Sequence, residues 1–160
     1  MMMGRRYTAP INVGAHTTQL DYFELLAGTG KPVKLLCFEL GQTTELGDAQ
    51  EEMIPLVLKR ITGSPTSGSG GATPTLQPVL ASGAASGATL ETGNTTKLTG
   101  GTTAELARFV WNVRAGLLYQ PPPEEQIVAD AGTRLVLEEV GTPADSITGP
   151  IGRIVVEEIV

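Results

Sequence analysis

One cysteine, Cys37, and one histidine, His16, are all this sequence offers of the residues that most often bind transition metals. A lone cysteine excludes an internal disulfide framework, and a lone histidine excludes the usual His/Cys zinc cages. Aromatic side chains are also scarce, with one Trp, three Tyr and three Phe in 160 positions. Charged residues make up 18%, and the 17 acidic side chains exceed the 11 basic ones to give a formal net charge of −6. Nonspecific binding to nucleic acid therefore has no electrostatic driver, and no direct nucleic-acid partner is expected. No run of about 18 apolar residues occurs, so no membrane helix is expected either. Met1-Met2-Met3-Gly4-Arg5-Arg6 carries positive charge without an apolar stretch behind it, which argues against a secretory signal.

What is present reads as β-structure. The hydrophobic fraction of 41% is enough for a real core in a single domain. Val33-Lys34-Leu35-Leu36-Cys37-Phe38-Glu39-Leu40 is short, β-branched and aromatic, with the turn Gly28-Thr29-Gly30-Lys31-Pro32 before it and Gly41 after it. Tyr22-Phe23-Glu24-Leu25-Leu26 reads as the preceding strand, and the two together read as a hairpin. Further strands are expected at 54–61, 104–111, 126–129, 134–139 and 153–159. A helix over 47–59 would carry Pro55 in its interior, which leaves at most a single helical turn around 48–52. Many short strands separated by turn residues predict an antiparallel β-sandwich of jelly-roll type.

Two segments stand apart from that pattern. Residues 1–13 read as an extended N-terminal arm, because Pro10 cannot donate to a central ladder and biases Ala9 away from helix. On that reading, deleting the arm leaves a folded domain over 14–160 that no longer binds its partner. Residues 62–103 are a Gly/Ser/Thr-rich insertion whose larger apolar side chains are Leu76, Val79, Leu80, Leu90 and Leu98. By composition the tract is a flexible linker. Ordering it requires either irregular strands on its own sandwich or contact with neighbouring chains, and the second is the expectation taken here.

No constellation of catalytic residues emerges, and no enzyme activity or cofactor is expected. The doublets Glu51-Glu52, Glu124-Glu125, Glu138-Glu139 and Glu157-Glu158 cannot each supply a facing carboxylate pair, since adjacent strand residues point to opposite faces. They read as solvated strand ends that discourage edge aggregation. Ala27-Gly28-Thr29-Gly30-Lys31-Pro32 approaches a phosphate-binding loop, but Leu25 stands where glycine is needed and Pro32 where Ser or Thr is needed. His16 reads as a surface or turn residue, and Cys37 as a small buried hydrophobe with an inert thiol. Asn94-Thr95-Thr96 reads as a polar turn, and Asp48, Glu51 and Glu52 lack calcium-loop spacing. Trp111 and Tyr119 flank Asn112-Val113-Arg114-Ala115-Gly116, which looks like a hairpin, so the two rings are a candidate ligand platform on one face. In the strand 33–40, Val33, Leu35 and Cys37 lie on one face and Leu36, Phe38 and Leu40 on the other. A two-layer sandwich uses only one such face for its core. Covering three such side chains is worth roughly 1.5–3 kcal/mol each, which points to an assembly.

Asp21-Tyr22-Phe23-Glu24-Leu25-Leu26-Ala27, Phe38-Glu39-Leu40-Gly41-Gln42-Thr43-Thr44 with Gly47-Asp48-Ala49-Gln50-Glu51-Glu52 after it, and Asn112-Val113-Arg114-Ala115-Gly116 resemble small structural proteins of tailed bacteriophages. Pro121-Pro122-Pro123-Glu124-Glu125, and Pro143-Ala144-Asp145-Ser146-Ile147-Thr148 before a Val/Glu-rich last strand, are similar to them too. The resemblance implies a jelly-roll sandwich, often trimeric, that decorates or cements the head of the virion after synthesis in the host bacterial cytoplasm. The expected partners are other copies of the chain and the major capsid or other virion proteins. The candidate interface residues are Arg5, Arg6, Tyr7, Ile11, Leu36, Phe38 and Leu40, with Arg5 and Arg6 suited to bidentate pairing with shell carboxylates. The competing expectation is a receptor- or glycan-binding module of a phage tail or neck, or of a bacterial surface, using Trp111 and Tyr119.

Overall fold

The computed structural model describes residues 4–43, 52–147 and 149–159. Eleven strands run in chain order: β1 (Arg5–Asn12), β2 (Asp21–Leu26), β3 (Val33–Gly41), β4 (Met53–Thr62), β5 (Gln77–Pro78), β6 (Thr89–Asn94), β7 (Thr102–Asn112), β8 (Leu117–Tyr119), β9 (Val128–Ala129), β10 (Arg134–Glu139) and β11 (Ile151–Glu158). They form two antiparallel sheets packed as a sandwich. The front sheet has the order β5-β1-β11-β3-β8, with β9 also pairing β3, and the back sheet has the order β6-β2-β10-β4-β7. Among the described residues the helical content is one 3₁₀ turn, Pro123–Glu125. The single helical turn expected around 48–52 falls, except for Glu52, outside the described residues.

Sheet membership differs from the hairpin readings. β2 and β3 are consecutive and joined by the expected turn, in which the Lys31 N–H donates to the Gly28 carbonyl, yet they lie in opposite sheets. The same holds for β7 and β8, so residues 113–116 are a crossover and not a hairpin loop. In each case the strand finds its partners far along the chain: β2 pairs β10 and β6, and β3 pairs β11. The turn residues were legible, but a turn does not specify which sheet its second strand joins.

β3 shows why its two apolar faces do not require a partner. Its register against β11 shifts at Leu36: Cys37 pairs Val155 and Leu35 pairs Val156, which leaves Leu36 as the extra residue of a β-bulge. The bulge resets the alternation. Val33 and Leu35 before it, and Phe38 and Leu40 after it, all point into the sandwich and are buried. Lys34, Leu36, Cys37 and Glu39 are left half-exposed. Phe38 then sits among Phe23, Phe109 and Tyr119, with ring centroids 5.6, 5.7 and 5.1 Å away. Such pairs add about 0.5–1.5 kcal/mol each beyond the area they bury. β2 has a comparable irregularity at Tyr22, opposite the 137/138 step of β10, which turns both Tyr22 and Phe23 inward.

The segment expected as an arm is extended but does not stand apart. All eight residues of β1 pair with β11, and Tyr7, Ala9 and Ile11 are core residues. Pro10 is tolerated because β5 pairs only Tyr7 and Thr8, so that β1 is itself the sheet edge further along. Deleting 1–13 therefore removes a core strand, and the expectation that a folded domain survives the deletion is withdrawn.

The insertion at 62–103 is likewise bound to its own chain. β6 extends the back sheet, and the bridges Thr66–Thr99, Ser69–Thr96 and Ala72–Thr92 fold the rest against it. Gly71 shows how close that packing is: a Cβ there would lie 2.2 Å from the Thr92 carbonyl oxygen. Val57 and Val136 are buried.

Candidate functional site

Carboxylates are where catalytic or metal chemistry would have to reside, so their surroundings decide what the molecule can do. Among the described residues five are nearly or fully buried: Asp21, Glu24, Glu52, Glu139 and Glu158. Four of them hold loop backbone. Asp21 accepts the Leu98 N–H at 2.8 Å, and Glu24 accepts the Gly68 N–H at 3.0 Å and the Ser67 hydroxyl at 2.8 Å. Glu52 accepts the Ala144 and Asp145 N–H groups at 2.8 and 2.9 Å, and Glu158 accepts those of Gly87 and Ala88 with the Ser86 hydroxyl. A buried carboxylate requires several hydrogen bonds to offset its desolvation, and a loop requires acceptors for its N–H groups. Each deficit meets the other. Glu24 also pairs with the Arg134 guanidinium, Nε to Oε1 at 2.6 Å. These side chains are loop tethers, each with at least one oxygen engaged by a loop N–H.

Glu139 differs from the other four. Its Oε2 meets His16 Nε2 at 2.9 Å, and His16 Nδ1 faces the Gly14 carbonyl at 3.0 Å. Burial disfavours the charged imidazole, but these two acceptors outweigh it and raise the His16 pKa above its ordinary value. Burial also pushes the Glu139 carboxyl up, so the pair keeps a proton over a wider range of pH. The His16 ring stands edge-on to Tyr22, which in turn stands edge-on to Trp111. His16, expected as a surface or turn residue, is therefore a buried structural histidine.

The doublets correct a second expectation. Glu124 and Glu125 are solvated, and Glu51 lies outside the described residues. Glu139 and Glu158 are fully buried, while their neighbours Glu138 and Glu157 face outward to Lys59 and Lys97, and to Lys34. The side chains do alternate, but one of each pair enters the protein. Of the calcium candidates, Asp48 and Glu51 lie outside the described residues and Glu52 is a loop tether. Among the described residues no group of three His, Cys, Asp or Glu side chains is placed to hold a metal ion. Asn94, expected in a polar turn, ends β6 instead, where it is buried and donates to Glu91 at 2.8 Å. Cys37 is half-buried on the outer side of β3 and not in the core, and burial raises its thiol pKa.

No family model matches the chain, and no curated protein or solved structure matches it. What it offers a partner must therefore be read from its own surface.

The candidate interface and ligand residues divide sharply. Tyr7, Ile11, Phe38 and Leu40 are buried within the sandwich and unavailable to a partner, and Leu36 is half-buried at its bulge. Trp111 is 1% exposed, and its Nε1 donates to the Ala115 carbonyl at 2.8 Å. Tyr119 stacks on Phe38. The ligand platform is thus a set of core contacts, because Trp111 and Tyr119 leave the two sheets toward the interior and not from one hairpin face. Arg5 and Arg6 are exposed.

Beside those arginines lies a feature the sequence reading passed over. The loop after β5 carries Val79 and Leu80 outward, 61% and 71% exposed. With Arg5, Arg6, Pro78 and Glu157 they line a groove of about 730 Å³. Two adjacent apolar residues in a Gly/Ser-rich tract were the available signal. A second open groove, about 680 Å³, crosses the outer face of the front sheet between Pro10, Leu118 and Ile151.

Proposed function

We propose that this chain is a non-enzymatic structural subunit of a tailed-phage virion that decorates or cements the head, docking on the major capsid protein through the Arg5, Arg6, Val79 and Leu80 edge. The observation that carries the reading is this juxtaposition of two guanidinium groups with two outward apolar side chains on one sheet edge. It suits an acidic protein surface that also offers apolar contact, in spite of the chain's own net charge of −6. Arg pairs bidentately with carboxylates and is enriched at interface hot spots, and covering Val79 and Leu80 removes their apolar surface from water. The buried carboxylates support the same role, since they are engaged in holding loops to the frame. The strand order β1-β11-β3-β8 against β2-β10-β4-β7 supports the jelly-roll topology implied by the resemblance.

The test is co-sedimentation with particles of the parent phage stripped of this protein. Wild type pellets with the particles. Arg5→Glu with Arg6→Glu, and separately Leu80→Asp, each weaken binding about tenfold or more, a change of about 1.4 kcal/mol, while circular dichroism stays unchanged. Wild-type binding by both variants would refute the assignment of this edge.

A further inference from the structure

The sandwich has four sheet edges, and three are blunted. The front sheet ends in β5, two residues long, beyond which β1 is the edge over Ala9–Asn12 and carries Pro10, and at its other side in β8 and β9, three and two residues long. The β6 edge of the back sheet is capped by the bridge from Ala72 to Thr92. The fourth edge is β7, Thr102–Asn112, eleven residues long and exposed over most of its length. Among the described residues nothing pairs beyond it. An uncovered edge of this length is a template for another strand, and folded proteins normally shorten or cover such edges.

The charges on β7 specify what fits there. Glu105 and Arg108 are three residues apart, and on an unbroken strand they would face opposite sides. The β4–β7 register shifts at this point: Leu58 pairs Ala107 and Lys59 pairs Glu105, which leaves Leu106 as the extra residue of a bulge. The bulge brings both charges to one face, where they form a bidentate ion pair at 2.8–3.0 Å. They sit symmetrically about the step between Leu106 and Ala107. A two-fold axis through that step sets each Glu105 opposite the other copy's Arg108, and pairs 102–105 of one copy with 108–111 of the other. Opposite charges then alternate across the new seam, and Val110, 62% exposed, comes against Thr103. A different strand laid on this edge would have to carry the same Arg and Glu spacing by coincidence. The chain carries it by symmetry.

We propose that β7 pairs antiparallel with β7 of a second copy, so that two back sheets join into one continuous sheet across a two-fold axis. This is a dimer contact, separate from the particle-docking edge on the front sheet and distinct from the trimer that the resemblance implies. Main-chain hydrogen bonds supply the affinity, as in strand addition generally. The Glu105 and Arg108 pairs fix the register.

Sedimentation velocity of the full chain over a concentration series tests this. Wild type should show a concentration-dependent doubling of mass. Glu105→Arg alone places four cations at the seam and Arg108→Glu alone four anions, so each variant should dimerise at least about tenfold more weakly. Mixing the two variants restores opposite charges at every position, and a heterodimer should return at close to wild-type strength. Both sites are exposed, and unchanged thermal midpoints would show that neither variant has lost its fold. A wild type that stays monomeric, a trimer, a dimer indifferent to both reversals, or a failure of the mixture to associate would each overturn the proposal. Loss of particle binding in the Arg5, Arg6 or Leu80 variants with the dimer intact would leave it standing.

Discussion

Replacing Glu24 with alanine should release the 62–103 segment from the sandwich and unfold the protein more easily. Glu24 lies on β2, 3% exposed, and serves three partners: Arg134 at 2.6 Å, the Ser67 hydroxyl at 2.8 Å and the Gly68 N–H at 3.0 Å. Removing one member of a buried ion pair leaves the other uncompensated, which costs about 3–5 kcal/mol. An orphaned N–H at Gly68 would add about 1–3 kcal/mol if it stayed dry. The segment can open to water at that point, so the expected total stays near 3–5 kcal/mol. A domain of about 5–15 kcal/mol would lose a large share of its stability. At roughly 2–4 °C per kcal/mol for a chain of this size, the midpoint should fall by about 6–20 °C.

Urea unfolding measures the global effect of Glu24→Ala, and amide hydrogen exchange resolves the local one. The N–H groups of Thr66, Ser69 and Ala72, which donate to Thr99, Thr96 and Thr92, should lose protection before the core strands do. Glu24→Gln keeps an acceptor but loses the charge, and should fall between wild type and alanine. A loss below about 1 kcal/mol for Glu24→Ala, with protection at 66–72 unchanged, would show that something other than this carboxylate orders the segment.

Asp21→Asn should stabilise the protein at neutral pH. Burial, opposed by the Leu98 N–H bond, pushes the Asp21 carboxyl up to about 6. A folded-state pKa above the unfolded value means that its stabilising contribution is complete below about pH 3.8 and is lost as pH rises through 6. The gap is worth roughly 3 kcal/mol at pH 7, and asparagine still accepts from Leu98. Subtracting the two stability–pH curves should give a difference that grows between about pH 4 and 6 and then levels off; a flat difference refutes the assignment. Phe38→Ala should cost about 3–5 kcal/mol, whereas Leu36→Ala should cost under about 1.5 kcal/mol because the bulge holds Leu36 half-exposed. Equal losses in chemical denaturation would mean that β3 is not phased as described.

Much of this fold was legible locally. β-branched and aromatic runs marked β2, β3, β4, β7, β10 and β11, and Gly/Pro turns marked their ends, because strand propensity and turn chemistry are properties of a few neighbouring residues. The antiparallel sandwich followed from many short strands. Sheet membership was not legible, since β1 meets β11 and β2 meets β10 across most of the chain, and no local signal encodes a partner so distant. The phase of β3 was not legible either: its bulge exists because β11 and the core both constrain it. The burial of Glu139 and Glu158 was hidden for a related reason, as their partners, His16 and the 86–88 backbone, lie 123 and about 70 residues away.

The sequence alone determined the strand content and the antiparallel sandwich. The tertiary structure alone decided which apolar residues were left for partners. Phe38, Leu40, Tyr7, Ile11 and Trp111 are all hydrophobic enough to suit an interface, and hydrophobicity by itself does not distinguish a side chain buried by its own chain from one waiting for another. That distinction depends on which strands lie opposite. Here they bury those five and leave Val79, Leu80 and the β7 edge in solvent.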